Sequence, residues 1–427
     1  MYKIPFNELC SSIRRQLKTL FLVFLLALHS IFAEAQLLKT YLLGEFEEIT
    51  VPFIYTNGFI IVDVIFQRVL PLKFIVDTGA ENTILLKREY SDLLRVPYHK
   101  KIKLLGSDMS EEVTAYVSNG TYLQFLNSKN VRHNILILEK DFVHLEEYVG
   151  SKVDGILGAE FFKGIVLKID YKKSELTLID PAKFSKSKVK NYQSFDIEIN
   201  SSKPYINCIT EVRAGLALKT KLLLDTGAAL TALFHHNTDT LLSASGNVVK
   251  GSLGKGLGGD IEGFSGRIHR LKLGDVIYFN NLISSFQDLD STLIKPEKIN
   301  RNGLIGNLLL ERFDVIIDFR TPKLYLKPKK DYNKEFDFDK SGMTVFAFGE
   351  ALNKYYVKYV SDKSPASEAD IRPGDIIQKI GIFSYKWYSL RQLNRVFSGR
   401  NGKKVKLKIK RGEELIKKEI ILRDLFI

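Results

Sequence analysis

Apolar and polar residues alternate along much of this chain. The period of two in Tyr205-Ile-Asn-Cys-Ile-Thr-Glu-Val212 and Lys404-Val-Lys-Leu-Lys-Ile-Lys410 predicts strands with one wet face. Two runs break the alternation: Phe74-Ile-Val-Asp77-Thr78-Gly79-Ala80 and Leu222-Leu-Leu-Asp225-Thr226-Gly227-Ala228. In each, three consecutive apolar residues precede Asp-Thr-Gly. That pattern predicts a strand buried on both faces and ended by a tight turn, which glycine permits. With 28 Phe, 19 Tyr and 29 Gly against 11 Pro, the expected class is all-β.

The spacing around the two runs repeats. Asp77 to Gly158 of Asp154-Gly-Ile-Leu-Gly158, and Asp225 to Gly306 of Asn302-Gly-Leu-Ile-Gly306, are 81 positions each (158 − 77 and 306 − 225). Asp170 and Asp318 lie 93 beyond their motifs, and Leu176 and Leu324 lie 99 beyond. Ile49, Val51, Ile61 and Val64 map onto Ile197, Ile199, Ile209 and Val212 by the same offset of 148. A period of that size is a domain and not a solenoid repeat. It predicts two similar lobes, 36–185 and 186–330, facing each other across a cleft, where ligand sites tend to lie. The polar stretch Lys183–Lys190 would join them, and Lys327–Lys340 would end the duplication before a separate unit at 335–427.

Residues 1–35 read as a signal peptide. Arg14-Arg15-Gln-Leu-Lys18 is basic, Thr19–Phe32 is mostly apolar, and Ala33-Glu-Ala35 has the small-x-small form of a cleavage site. The apolar run is shorter than the roughly 20 residues of a spanning helix, so cleavage is expected over a retained anchor. The expected location is the periplasm, outer surface or medium, with no stable membrane span afterwards. The formal charge of +14 comes from dispersed lysines on wet strand faces, which argues against a nucleic-acid partner. Beyond Cys10 the only cysteine is Cys208, in an alternating strand, so it reads as a buried filler with no disulfide partner.

Two carboxylates on rigid turns can share one proton, because like charges in a desolvated site do not ionise together. The protonated member then polarises a carbonyl while the ionised one takes a proton from water. The chain resembles the aspartic peptidases of the pepsin and retroviral class in both Asp-Thr-Gly-Ala tetrapeptides and in Ile156-Leu-Gly158 and Leu304-Ile-Gly306. The resemblance spans about 45–328 in two registers and implies acid-protease-type β-barrel lobes. It implies that Asp77 and Asp225 are catalytic and that Thr78 and Thr226 interlock their hydroxyls. It further implies that Gly79 and Gly227 let the backbone approach the carboxylates, and that Gly158 and Gly306 buttress the loops. Ala80 and Ala228 stand where pepsin-like members usually carry Ser or Thr, which removes a donor to each carboxylate and predicts activity at milder pH.

Family members close a glycine-containing hairpin over the substrate, and Gly254-Lys-Gly256-Leu-Gly258-Gly259 fits that role. This stretch also matches GxGxxG, but the turn-rich Asp260-Ile-Glu-Gly-Phe-Ser that follows is unlike a helix, so a hairpin is expected over a phosphate loop. In the first repeat only Gly106 and Gly120 occur, and Tyr98 and Tyr116 are the weak candidates for a flap tyrosine. His235-His236, expected on a helix after the second motif, does not form a chelate, because adjacent helical residues diverge by about 100°. No metal and no cofactor is expected.

In the last unit, Ser364-Pro-Ala-Ser-Glu-Ala-Asp-Ile-Arg-Pro-Gly374-Asp375 resembles the bacterial PDZ family, which implies an α+β domain. Ser389–Phe397 would supply its groove helix, Val405–Lys410 and Glu419–Leu422 its closing hairpin, and Phe346-Ala-Phe-Gly349 a carboxylate-binding loop. Ile380-Gly381 lacks the usual Asn. Such domains bind a peptide C-terminus or an internal strand by sheet addition. The expected function is an exported aspartic endopeptidase acting on polypeptides. The alternatives are a catalytically silent peptide-binding protein and a structural envelope component.

Overall fold

The Asp77 strand, Leu70–Asp77, lies parallel to Gly155–Gly158, with Asp77 opposite Gly158. The Asp225 strand, Ala217–Asp225, lies parallel to Gly303–Gly306, with Asp225 opposite Gly306. These pairs belong to a computed structural model that describes residues 48–105, 112–125, 131–141, 143–288 and 300–426. The expected signal segment, Cys10 and Gly106 lie outside the described residues.

Each half builds the same surroundings for its Asp strand. A short strand, Ile84–Leu85 or Ala232–His235, runs antiparallel to the glycine strand. On its other side it pairs parallel with Val131–Leu138 or Ile277–Gln287. The Asp strands are therefore interior, and their apolar triplets are buried to within 3% exposure in both halves. Runs that are apolar on both faces suit such interior positions. The buttress glycines are required by crowding. A Cβ at Gly158 would lie 2.3 Å from the Asn82 carbonyl oxygen, and one at Gly306 would lie 2.2 Å from that of Leu230.

The halves are hydrogen-bonded into one network. Six strands run in the order Glu48–Thr56, Glu175–Ile179, Val166–Asp170, Phe313–Asp318, Lys323–Pro328 and Gln193–Asn200. The two central strands are repeat equivalents that pair antiparallel, Ile169 with Val315 and Leu167 with Ile317. The duplication thus closes on itself about a local twofold, and one apolar core runs through both halves. Asp170 and Asp318 cap the turns after these strands by accepting from the N–H groups two and three residues on. Cys208 lies in this core, where burial pushes its thiol up to about 12.

Residues 343–421 form a second sheet with its own core. Ser364 and Ser389 cap its two helices, Pro365–Glu368 and Leu390–Phe397, each with a reciprocal capping box. Lys404–Arg411 and Glu414–Ile421 form a hairpin at the sheet's far side. Phe346, Ala347 and Phe348 lie inside the strand Met343–Phe348, which corrects the expected loop there, and only Gly349 turns. Met343–Phe348 is an edge strand, and the first half's helix Leu145–Val149 packs on it. The rings of Tyr148 and Phe346 lie 5.4 Å apart, and the Tyr356 hydroxyl donates to Glu147 Oε2 at 3.1 Å. Arg391 Nη1 donates to the Tyr55 carbonyl at 3.0 Å.

Candidate functional site at the junction of the halves

The two Asp-Thr-Gly turns grip one another. Thr78 Oγ1 donates to the Leu224 carbonyl at 2.6 Å and accepts from the Thr226 N–H at 3.1 Å. Reciprocally, Thr226 Oγ1 donates to the Val76 carbonyl at 2.8 Å and accepts from the Thr78 N–H at 3.1 Å. Both threonines are fully buried, so each bond replaces no competing water.

Gly79 and Gly227 seat the opposite carboxylates. A Cβ at Gly79 would fall 2.4 Å from Asp225 Cγ, and one at Gly227 would fall 2.2 Å from Asp77 Cγ. Each carboxyl therefore lies against the opposite turn, and each shifts the proton affinity of the other. Asp77 Oδ1 accepts from the N–H groups of Gly79 and Ala80, both at 2.8 Å. Among the described residues Asp225 Oδ1 accepts only from Gly227 N–H, also at 2.8 Å. Burial raises both carboxyls above the usual carboxylate range. Asp225 is raised well above it, and the charge of Asp77 adds to the burial effect. The two amide donors and Lys203 hold Asp77 lower. Asp225 therefore binds a proton more tightly than Asp77.

The dyad opens into a cavity of about 400 Å³ whose walls differ. On the first-half side it is lined mainly by Phe59, Ile75, Leu136, Leu145, Tyr148 and Ile156, with Glu81 and Asn82 as its polar members. On the second-half side Lys203, His235, Gln287 and Arg301 join Leu223 and Leu304. His235 is 2% exposed, and burial, with the charge of Arg301, pushes its imidazole down to about 3. Both its ring nitrogens lack a partner. Neither the Lys203 ammonium nor the Arg301 guanidinium has an ion-pair or hydrogen-bond partner among the described residues.

A hairpin from the second half covers the cavity. Ser245–Gly256 and Gly259–Leu273 pair antiparallel with Gly256 opposite Gly259 and a two-residue turn at Leu257-Gly258. Leu253, Gly254, Lys255, Gly256, Leu257 and Ile261 face the cavity, whereas Gly258 and Gly259 form the turn and do not line it. Gly259 takes φ +127°, which favours glycine. In the first half, Lys100–Leu105 and Glu112–Gln124 make the corresponding hairpin. Leu104 from it lines the cavity. Its tip lies outside the described residues.

Several expectations are corrected. His235 ends a strand and His236 begins a 3-10 turn, so the pair is not helical. The strand turns them apart: His235 faces the cavity, and His236 is exposed and paired with Asp288. Tyr98 and Tyr116 do not line the cavity, since their hydroxyls are engaged by Asp92 and Glu139. The tyrosine that lines the cleft is Tyr148, beside Phe59, and burial pushes its phenol up to about 12. Sequence reasoning also passed over Lys203 and Arg301. The one available signal was position, because Arg301 lies two residues before the second Gly-apolar-apolar-Gly segment.

The N–H of Lys73 bonds Asp154, and that of its repeat equivalent Lys221 bonds Asn302. Buried Asp154 and half-buried Asn302 anchor the glycine strands and do not line the cavity. Among the described residues no three His, Cys, Asp or Glu side chains converge as metal ligands do. Comparison with protein-family models and with curated proteins returned no match for this chain.

Proposed function

We propose that the protein is an aspartic endopeptidase built from two acid-protease-type lobes. The observation that carries this reading is the pair of buried carboxyls, each seated against the opposite glycine on mutually gripping turns beneath a hairpin. Asp77, ionised, takes a proton from a water as its oxygen attacks the peptide carbonyl carbon. Asp225, protonated, gives its proton to the carbonyl oxygen, and a tetrahedral diol forms. Collapse of the diol breaks the C–N bond. The proton held by Asp77 passes to the leaving amine, and one diol hydroxyl returns its proton to Asp225. The dyad is then restored without a covalent intermediate.

The C-terminal unit reads as PDZ-like. Its edge strand packs on the helix Leu145–Val149 and its groove helix bonds the Tyr55 carbonyl through Arg391, which supports docking within this chain over recruitment of a peptide. Export is proposed from the basic-then-apolar N-terminal segment.

Incubation with a mixed peptide library from pH 3 to 8 tests the reading. Cleavage is expected, with kcat falling about 10²–10⁴-fold or more in Asp77→Asn and Asp225→Asn. No cleavage at any pH would leave the silent peptide-binding alternative in its place.

A further inference from the structure

The second-half wall of the cavity holds polar groups without a side-chain partner among the described residues. His235 is buried with both ring nitrogens unpartnered, and it sits opposite Gln287 in strand register. Gln287, 8% exposed, lines the same wall. Arg301 contributes a guanidinium without an ion pair among the described residues, and Lys203 lines the same cavity. Glu81, which lines the cavity from the first half, and Asp77 offset the Lys203 charge. That leaves the Arg301 charge without a dedicated counterion. A desolvated cation and a desolvated imidazole are both costly unless an acceptor of opposite charge completes them.

We propose that His235, Gln287 and Arg301 form a subsite for an acidic side chain, Asp or Glu, on one side of the scissile bond. The apolar first-half wall takes an apolar residue on the other side. A carboxylate matches the guanidinium fork and accepts from a neutral imidazole N–H and an amide. A lysine there would be repelled, and an apolar side chain would leave all three groups unsatisfied. This assignment rests on the endopeptidase reading for the scissile bond, but the binding it predicts can be measured without turnover.

Asp225→Asn in the full chain is the reagent, because Asn mimics the protonated carboxyl and leaves Asp77 charged. Fluorescent peptides carrying one Leu flanked by Glu, or by Gln in its place, are titrated in both orders and followed by anisotropy. The Glu peptide is expected to bind at least about 10-fold tighter in one order, as charge-assisted hydrogen bonds give. The ratio should collapse toward one when Arg301→Gln is added, and should shrink with His235→Phe. Equal binding of Glu and Gln peptides in both orders overturns the subsite. So does a ratio that survives Arg301→Gln in protein whose circular dichroism is unchanged. If Arg301→Gln fails to fold, His235→Phe and the starting ratio still decide. A preserved binding preference with no cleavage by wild type would overturn the peptidase reading alone.

Discussion

Repeat-equivalent positions on the two walls of the cleft diverge in a patterned way. Ile75 and Ile156 on the first wall correspond to Leu223 and Leu304 on the second, and all four are apolar. Val153, buried in the first half, corresponds to Arg301. Lys87 corresponds to His235. In the first half Lys87 is tied to Glu146 at 2.8 Å and to Asp154 at 3.6 Å, whereas His235 faces the cavity alone. Cavity positions on the interior Asp and glycine strands stayed apolar through the duplication, whereas Arg301 and His235 brought polar groups to the second wall. The carboxylate turns keep the same grip while the surfaces around them differ.

The glycines that seat the carboxylates allow the sharpest test of that equivalence. Gly79→Ala and Gly227→Ala each drive a methyl into the opposite Asp. Each should cost about 1–3 kcal/mol of stability by overpacking. Peptide cleavage should fall about 100-fold or more as the pair separates. Denaturant melts and library cleavage check this, and a large loss confined to one glycine would break the symmetry of the dyad.

The threonine grip should respond next. Thr78→Ala and Thr226→Ala each leave a buried N–H and a buried carbonyl without their partner, at about 1–3 kcal/mol. The two losses should be similar in urea unfolding, and the double variant should cost less than their sum because the pair acts as one network.

The dyad also makes stability depend on pH. Both folded carboxyls bind a proton more tightly than an ordinary carboxylate, Asp225 most of all. The stability this contributes is present below about pH 4 and drains as pH rises toward the folded values. Asp225→Asn removes the larger share, so its unfolding free energy should fall less between pH 4.5 and 7 than that of wild type. An equal or steeper fall in the variant would refute the protonated assignment of Asp225.

The smallest effect concerns the link between the hairpin and the C-terminal sheet. Lys358 Nζ pairs with Asp260 Oδ2 at 2.8 Å, with both side chains about one-third exposed. Lys358→Ala should change stability by less than about 1 kcal/mol. Hydrogen exchange should instead reveal faster opening of Gly251–Gly259.

Much of this arrangement is legible in the chain. Alternation marks the outer strands, and the apolar triplets mark the two interior ones. The equal spacing of Gly158 and Gly306 identifies the glycine strands, because their crowding tolerates no side chain. The hairpin at Gly254–Gly259 is legible too, since its glycines suit a two-residue turn. Lys203, His235, Gln287 and Arg301 are not legible as a group. They come from four separate segments whose local patterns are ordinary, and His235 looked helical because the strand that carries it is only four residues long. Tyr148 escaped notice because its place at the cleft depends on how a short helix packs against Phe59 and Phe346.

Local patterning and the 148-residue repeat determined the strand class, the duplication and the two carboxylate turns. These depend on short-range backbone chemistry that a motif can encode. The tertiary structure alone decided which carboxyl binds its proton more tightly, because that follows from one extra amide donor at Asp77 and the charge of Lys203, which outweigh the opposing pull of Arg301 on Asp225. It alone decided that one wall is apolar and the other basic. It also turned the C-terminal sheet's edge strand toward the first half, where packing across distant segments outweighs anything a local motif specifies.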